Sequence, residues 1–261
     1  MAVSALVLGI VAAPAVAMAD APEPADAMPV VAGPMPAVAA LPGDASSFTF
    51  RSFDAVYALG RDADRHATLG VTETIVALFP QSDQNHGIIR DIPATYGSAD
   101  LQTEVLSVVD QNGRAVPYQQ SEQGGFIQLQ IGSGSVFVHG ATTYVISYTQ
   151  RDTIRYFSDT GDDEFYWDIN GTGWGQPFAE VSATIKVAGD LSSALNGHTA
   201  CYQGAENATT PCDSGVQSVA SDPGSATPAV FTARAQNLQA QQTLTVAIGF
   251  ASGTFVDKSG K

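Results

Sequence analysis

Cations are scarce in this chain: three lysines and eight arginines face 26 acidic residues, giving a formal net charge of −15. That balance excludes a nucleic-acid surface, which needs clustered basic groups to displace counterions. It also repels anionic lipid and favours solubility, without identifying a substrate. Cysteine is nearly absent; Cys201 and Cys212 are the whole supply. With no third cysteine and a single histidine close by, His198, they fall short of the four ligands of a closed structural zinc site. His66, His86, His139 and His198 are scattered, with no His-Glu-x-x-His run and no pair at ligand spacing, so a metal enzyme gains no support. Phosphate-cradling glycine motifs are missing. Gly132-Ser133-Gly134-Ser135 lacks the register of a nucleophile elbow and reads as a hairpin loop. Helical periodicity is scarce throughout.

What the chain does have begins with an apolar N-terminus. Residues 2–19 are nearly all apolar, but Ser4 and Pro14 interrupt them and small residues dominate. This suits the core of a secretory signal better than a membrane span. Ala17-Met18-Ala19 and Ala19-Asp20-Ala21 offer cleavage patterns, and an uncut signal anchor is the alternative. No Lys or Arg precedes the apolar run, so Met1 reads as an internal start or the edge of a truncated record. Pro, Ala, Val, Met and Gly with scattered acids follow, a composition with no period and nothing large to bury, as in a flexible linker. The expected organisation is a signal peptide at 1–21, a linker at 22–45, one folded domain at 46–256 and a short tail at 257–261. Roughly two hundred residues suffice to bury well over half of the unfolded surface in one core.

Within that domain the periodic segments are short, β-branched and aromatic, and punctuated by Gly, Asp, Asn, Ser and Pro. Strands are expected at 48–59, 69–79, 101–109, 126–131, 143–149, 164–169, 181–187 and 244–250. Alternation is cleanest in Val181, Ala183, Ile185, Val187 and in Leu244, Val246, Ile248, Phe250, each implying one buried face. The pattern argues for an all-β, antiparallel β-sandwich, with a closed β-barrel as the alternative. In Glu164 to Trp174, Phe165, Trp167 and Ile169 share one face, Glu164, Tyr166 and Asp168 share the other, and Asn170-Gly171 supplies a turn.

Several residues stand out as candidate sites. Glu73 shares a strand face with Leu69, Val71, Ile75, Ala77 and Phe79. If that face is the core, its carboxylate needs a partner, and Arg90 is the expected one. Were the opposite face inward, Glu73 would be solvated. Cys201 and Cys212 lie among turn residues, as a short-range disulfide of an exported protein would, with reduced buried thiols as the alternative. Tyr166 and Trp174 are candidates for a binding surface, Trp174 in a Gly-flanked loop that could stack on a sugar or simply cover the sandwich edge. Asp159, Asp162, Asp163, Glu164 and Asp168 are the densest set of oxygen ligands, of the kind calcium takes, although EF-hand spacing is absent and solvated acidic turns are the alternative. Glu164 and Asp168, four residues apart on a strand, would sit roughly 13 Å apart, too far for either glycosidase geometry. Asn170 and Asn207 each head a glycosylation sequon. No catalytic residue and no cofactor is expected.

The succession Val71-Thr72-Glu73, Phe79, Gly87-Ile88-Ile89-Arg90-Asp91-Ile92-Pro93, Tyr144-Val145-Ile146-Ser147-Tyr148, then Glu164-Phe165-Tyr166-Trp167-Asp168 with Trp174 resembles the predicted bacterial membrane proteins called domain of unknown function 2207. Cys201-Tyr202-Gln203-Gly204 with Cys212, and Leu244-Thr245-Val246 followed by Gly249-Phe250 and Gly253, are similar to the end of that family's N-terminal domain. The resemblance implies an extracytoplasmic β-rich domain after a signal peptide, normally succeeded by membrane-spanning helices and a low-complexity tail. It brings no established activity, cofactor or catalytic residue. No apolar run after residue 19 is long enough to cross a bilayer, a departure that reads as a fragment or a soluble relative. The expected function is therefore a non-enzymatic ectodomain that contacts an unknown protein or an envelope polymer, anchored to the membrane in the full-length protein. A carbohydrate-binding or carbohydrate-active module and a calcium-stabilised adhesion or scaffold domain are the alternatives.

Overall fold

The computed structural model describes residues 47–219 and 227–256. The expected signal peptide, linker and C-terminal tail lie outside the described residues. The strands, in chain order, are β1 (Thr49–Arg61), β2 (Ala67–Phe79), β3 (Gly87–Pro93), β4 (Thr95–Tyr96), β5 (Ala99–Asp100), β6 (Glu104–Val109), β7 (Tyr118–Gln123) and β8 (Phe126–Gly132). They continue with β9 (Gly140–Arg151), β10 (Arg155–Phe157), β11 (Asp162–Asp168), β12 (Phe178–Val187), β13 (Leu195–Gly204), β14 (Gln217–Val219), β15 (Ala229–Leu238) and β16 (Thr243–Phe250). A short 3₁₀ turn at Gly189–Ala194 separates β12 from β13. All eight expected strands are present within a few residues.

The strands form a seven-stranded sheet in the order β14-β15-β12-β1-β2-β9-β6, a four-stranded sheet β10-β11-β16-β13, a three-stranded sheet β3-β8-β7, and the short pair β4-β5. The fold is all-β, and among the described residues no sheet closes into a barrel. Nearly every ladder is antiparallel; β1 against β12 runs parallel, Phe50 beside Phe178 through Leu59 beside Val187. Parallel neighbours need a long crossover rather than a hairpin, and β2 to β11 supply it.

Alternation decides which face of the large sheet is covered. Phe53, Ala55, Tyr57 and Leu59 of β1, Leu69, Val71, Ile75 and Ala77 of β2, Tyr144, Ile146 and Tyr148 of β9, and Val181, Ala183, Ile185 and Val187 of β12 are all buried. The opposite face carries Val56, Thr72, Ser147, Thr184 and Thr232, half-buried or exposed. Both smaller sheets lie over the buried face. The four-stranded sheet contributes Phe165 to β1's Tyr57, with ring centroids 5.8 Å apart. The three-stranded sheet contributes Arg90 to β2's Glu73. The molecule is thus a sandwich whose second layer is split in two.

Aromatic side chains close one end of this core. Phe50 stacks on Phe178 at 4.4 Å, and Trp174 meets both edge-on. A buried aromatic contributes more than its area through such contacts.

Candidate functional site

Two regions carry chemistry beyond packing: a buried polar junction and the outer face of the four-stranded sheet. The junction begins with Glu73, which β2's alternation points inward and which is 0% exposed. Arg90, 4% exposed, approaches from β3 and donates from Nη2 to Oε1 at 2.6 Å and from Nε to Oε2 at 2.8 Å. Tyr148 on β9 donates its hydroxyl to Oε1 at 2.8 Å. Nη1 of Arg90 then reaches two carbonyls, Asp91 at 2.8 Å and Asn170 at 3.2 Å. Four of the five guanidinium N–H donors have acceptors by this count, as a buried charge requires. The guanidinium also lies over the rings of Phe53, at 5.3 Å, and Trp174, at 5.8 Å. Burial pulls the basicity of Arg90 down, but the adjoining Glu73 carboxylate reverses this and carries it above the ordinary value. Burial raises Tyr148 and Tyr57, with the Glu73 charge adding to it.

Asn170 extends the junction to the four-stranded sheet. It is fully buried; its side-chain oxygen accepts from Leu244 N at 3.0 Å and its amide donates to the Gln242 carbonyl at 2.9 Å. Its own carbonyl accepts from the indole of Trp174 at 2.7 Å. Gly171 follows with φ of 74°, the left-handed value the turn demands. One hydrogen-bonded cluster therefore ties the three larger sheets together. The arrangement leaves no open cleft at Glu73 and reads as architecture.

This geometry corrects two surface readings. Trp174 is not on a binding surface: it is 6% exposed, because its loop folds inward onto Phe50 and Phe178. Asn170 is buried, so the first sequon presents no accessible amide; Asn207, in the loop after β13, is exposed. Cys201 on β13 is bonded to Cys212, with Cα atoms 5.5 Å apart, and Cys212 N donates to the Cys201 carbonyl at 3.1 Å. The bridge fastens the 205–212 loop along an edge strand.

Tyr166 takes a different position. Its neighbours Phe165 and Trp167 point into the core, so Tyr166 projects from the outer face of β11, half-buried, between Glu164 and Asp168. The register sets Tyr166 beside Ala247 of β16, which in turn pairs with Ala200 of β13, and sets Asp168 beside Thr245, which pairs with Tyr202. Thr245, Ala247 and Gly249 make a floor of small residues, itself buried beneath the larger side chains of β11 and β13. Phe157 of β10 lies 5.8 Å from the Tyr166 ring. Burial, then the charge of Asp168, then Tyr202 and Glu164, push the Tyr166 hydroxyl up to about 12.

The carboxylates of this region do not converge. Asp162 meets His198 at 2.6 Å, Glu164 accepts from Thr160 at 2.6 Å, and Asp168 accepts from Thr245 at 2.6 Å. Asp163 points to the other face, where it accepts the Phe255 N–H at 2.9 Å. Among the described residues no three His, Cys, Asp or Glu side chains are grouped to hold a metal ion. Burial raises Glu164, with the charges of Asp159 and Asp162 adding to it and the Thr160 hydroxyl opposing. Asp168 is exposed by area yet crowded by neighbouring atoms, and that crowding raises it, with Thr245 opposing and Glu206 assisting.

Among solved structures, the M1 zinc metallopeptidase of Deinococcus radiodurans is similar at 12% identity and a TM-score of 0.40, over 77% of this chain and 42% of that chain. Leukotriene A4 hydrolase of Saccharomyces cerevisiae is similar at 11% identity and 0.43, over 77% of this chain and 29% of that one. The chain thus spans less than half the length of either protein, and likeness at this level does not carry an activity across. No curated protein matches. The model of the N-terminal domain of a predicted membrane protein, domain of unknown function 2207, matches residues 51–250. With most of the chain matched, from β1 to the end of β16, the protein belongs to that family.

Proposed function

We propose that this chain is a non-enzymatic, extracytoplasmic interaction domain of a membrane protein, contacting another protein or an envelope polymer through the outer face of the four-stranded sheet. The observation that carries the reading is Tyr166, which projects from that face with Phe157 beside it and Tyr202 across the floor, while the other large aromatics of β11 are buried. Half-exposed tyrosines offer wide contact area at little entropic cost. The Cys201–Cys212 bridge supports an oxidising compartment, and the family description supports anchorage of the full-length protein in a membrane. Glu164 and Asp168, four residues apart on β11, make no hydrolytic pair, which favours binding over catalysis. The carbohydrate-binding alternative keeps Tyr166 but not the buried Trp174.

A photo-cross-linking residue placed at position 166 in the native cell envelope tests this, with position 72, exposed on the outer face of the large sheet, as the comparison. An adduct of defined mass at 166 and none at 72 is expected. No adduct at 166, or the same adducts at both, would contradict the assignment.

A further inference from the structure

Most edges of the larger sheets are short or engaged. Strands β10 and β14 have three residues each. Beside β6, the Val116 N–H donates to the Val108 carbonyl at 3.0 Å, and beside β13 the Gln203 N–H donates to the Thr210 carbonyl at 2.8 Å. At β3 the Asp91 carbonyl accepts from Arg90, and the Pro93 carbonyl accepts from Thr103 and Gln150. Strand β7 differs. Its six residues, Tyr118-Gln119-Gln120-Ser121-Glu122-Gln123, are exposed on both faces and pair with β8 in an unbroken register.

The alternation of an antiparallel ladder fixes which of its backbone groups point outward. The Gly132 N–H donates to the Pro117 carbonyl at 2.8 Å, so Pro117, Gln119, Ser121 and Gln123 turn their backbone groups toward β8. The hairpin closes at Gly124-Gly125 with φ of 59° and 81°, both positive as a two-residue turn demands. Tyr118, Gln120 and Glu122 therefore direct N–H and C=O away from the sheet. Among the described residues these outward groups meet no hydrogen-bond partner. The usual protections of an open edge are missing as well: β7 has no proline, lysine or bulge, and Glu122 is its single charge.

We propose that a second copy of this chain pairs along β7, antiparallel about a two-fold axis at Gln120, and joins the two three-stranded sheets into one. In that register Tyr118 faces Glu122 of the second copy, Gln120 faces its own counterpart, and Gln119 faces Ser121. Every outward N–H and C=O of β7 then has an acceptor or donor, whereas a shifted register leaves one end of the strand unmatched. The side chains match too. Facing glutamine amides exchange hydrogen bonds, each Glu122 carboxylate meets a tyrosine hydroxyl, and no like charges lie opposite. A foreign strand could use the same backbone groups, but this self-matching favours a second copy. The seam is one strand wide and each copy carries a net charge of −15, so the pairing is weak and screening by salt strengthens it. This edge is separate from the Tyr166 face, and neither reading depends on the other.

Sedimentation velocity of the whole protein from micromolar to millimolar concentration tests the pairing, and a disulfide trap tests its register. A reversible monomer–dimer equilibrium is expected, shifted toward dimer by added sodium chloride. Gln120→Pro removes an N–H that β8 does not use, and should abolish the dimer while the circular dichroism of the monomer is retained. The native cysteines are bonded to each other, so an introduced thiol is the free one. Facing residues of a hydrogen-bonded pair have Cα atoms about 5.5 Å apart, within disulfide reach, whereas the two copies of residue 118 would sit about 13 Å apart. Gln120→Cys should therefore cross-link on mild oxidation and Tyr118→Cys should not, but Tyr118→Cys mixed with Glu122→Cys should. The trap uses no proline and remains decisive if Gln120→Pro unfolds. A monomer at every concentration, a dimer that survives Gln120→Pro in a folded protein, or equal cross-linking of the Gln120→Cys and Tyr118→Cys variants would overturn the proposal.

Discussion

Replacing Glu73 by glutamine removes the charge from the centre of the sandwich while keeping the shape. Arg90 would then remain charged, 4% exposed, with a neutral amide where its two shortest hydrogen bonds had met a carboxylate. Breaking a buried pair by removing one partner costs about 3–5 kcal/mol, chiefly because the other charge is stranded. For a domain of this size each kcal/mol lowers the midpoint by about 2–4 °C, so the expected fall is about 6–20 °C. Arg90→Met should cost a similar amount, since Glu73, at 0% exposure, would keep only the Tyr148 hydroxyl. The combined variant strands neither charge and should lose well under the sum of the two, a coupling of about 2 kcal/mol or more. Urea unfolding followed by tryptophan fluorescence, with the disulfide intact, measures all three. A single substitution within about 0.5 kcal/mol of the parent, or strict additivity in the double variant, would refute the buried pair.

Other expectations follow from the same geometry. Trp174→Ala should cost about 3–5 kcal/mol in chemical denaturation, as loss of a core aromatic does, where a surface tryptophan would cost almost nothing. Cys201→Ala with Cys212→Ala should lower stability by about 3 kcal/mol, the chain-entropy value for so short a loop, and dithiothreitol should do the same to the parent. Glu164 has a carboxyl raised above its unfolded value, so the folded state holds the proton more tightly. The resulting stability is present below the unfolded pKa and is lost as pH rises through the folded pKa. Glu164→Gln should therefore raise the thermal midpoint at pH 7 and have little effect at pH 3; a gain that persists at pH 3 would contradict the desolvation argument.

The strands that could be read from the sequence are those whose buried face carries large residues, such as Val181 to Val187 and Leu244 to Phe250. Strand β15 escaped because much of its buried face is alanine: Ala229, Ala233 and Ala235 alternate with polar residues but give little hydrophobic contrast. Strand β7, Tyr118–Gln123, is exposed on both faces and so has no alternation to read. Strand β13 buries Cys201 as its single fully covered residue. The Glu73 and Arg90 pairing was legible because a carboxylate on an apolar strand face demands a partner. The misplacement of Trp174 has a physical cause as well. Glycines on both sides mark a loop, but whether a loop folds inward depends on what waits beneath it, here Phe50 and Phe178 from distant parts of the chain. Tyr166 was legible as outward-facing by period alone, whereas its nearness to Tyr202 depended on the β11–β16–β13 register, which local sequence does not encode.

The division between core and contact surface is tested most directly by hydroxyl-radical footprinting of the native protein, read residue by residue by mass spectrometry. The account predicts oxidation of Tyr166 and Tyr202 with protection of Trp174, Tyr57 and Tyr148. Rapid oxidation of Trp174 together with protection of Tyr166 would contradict it.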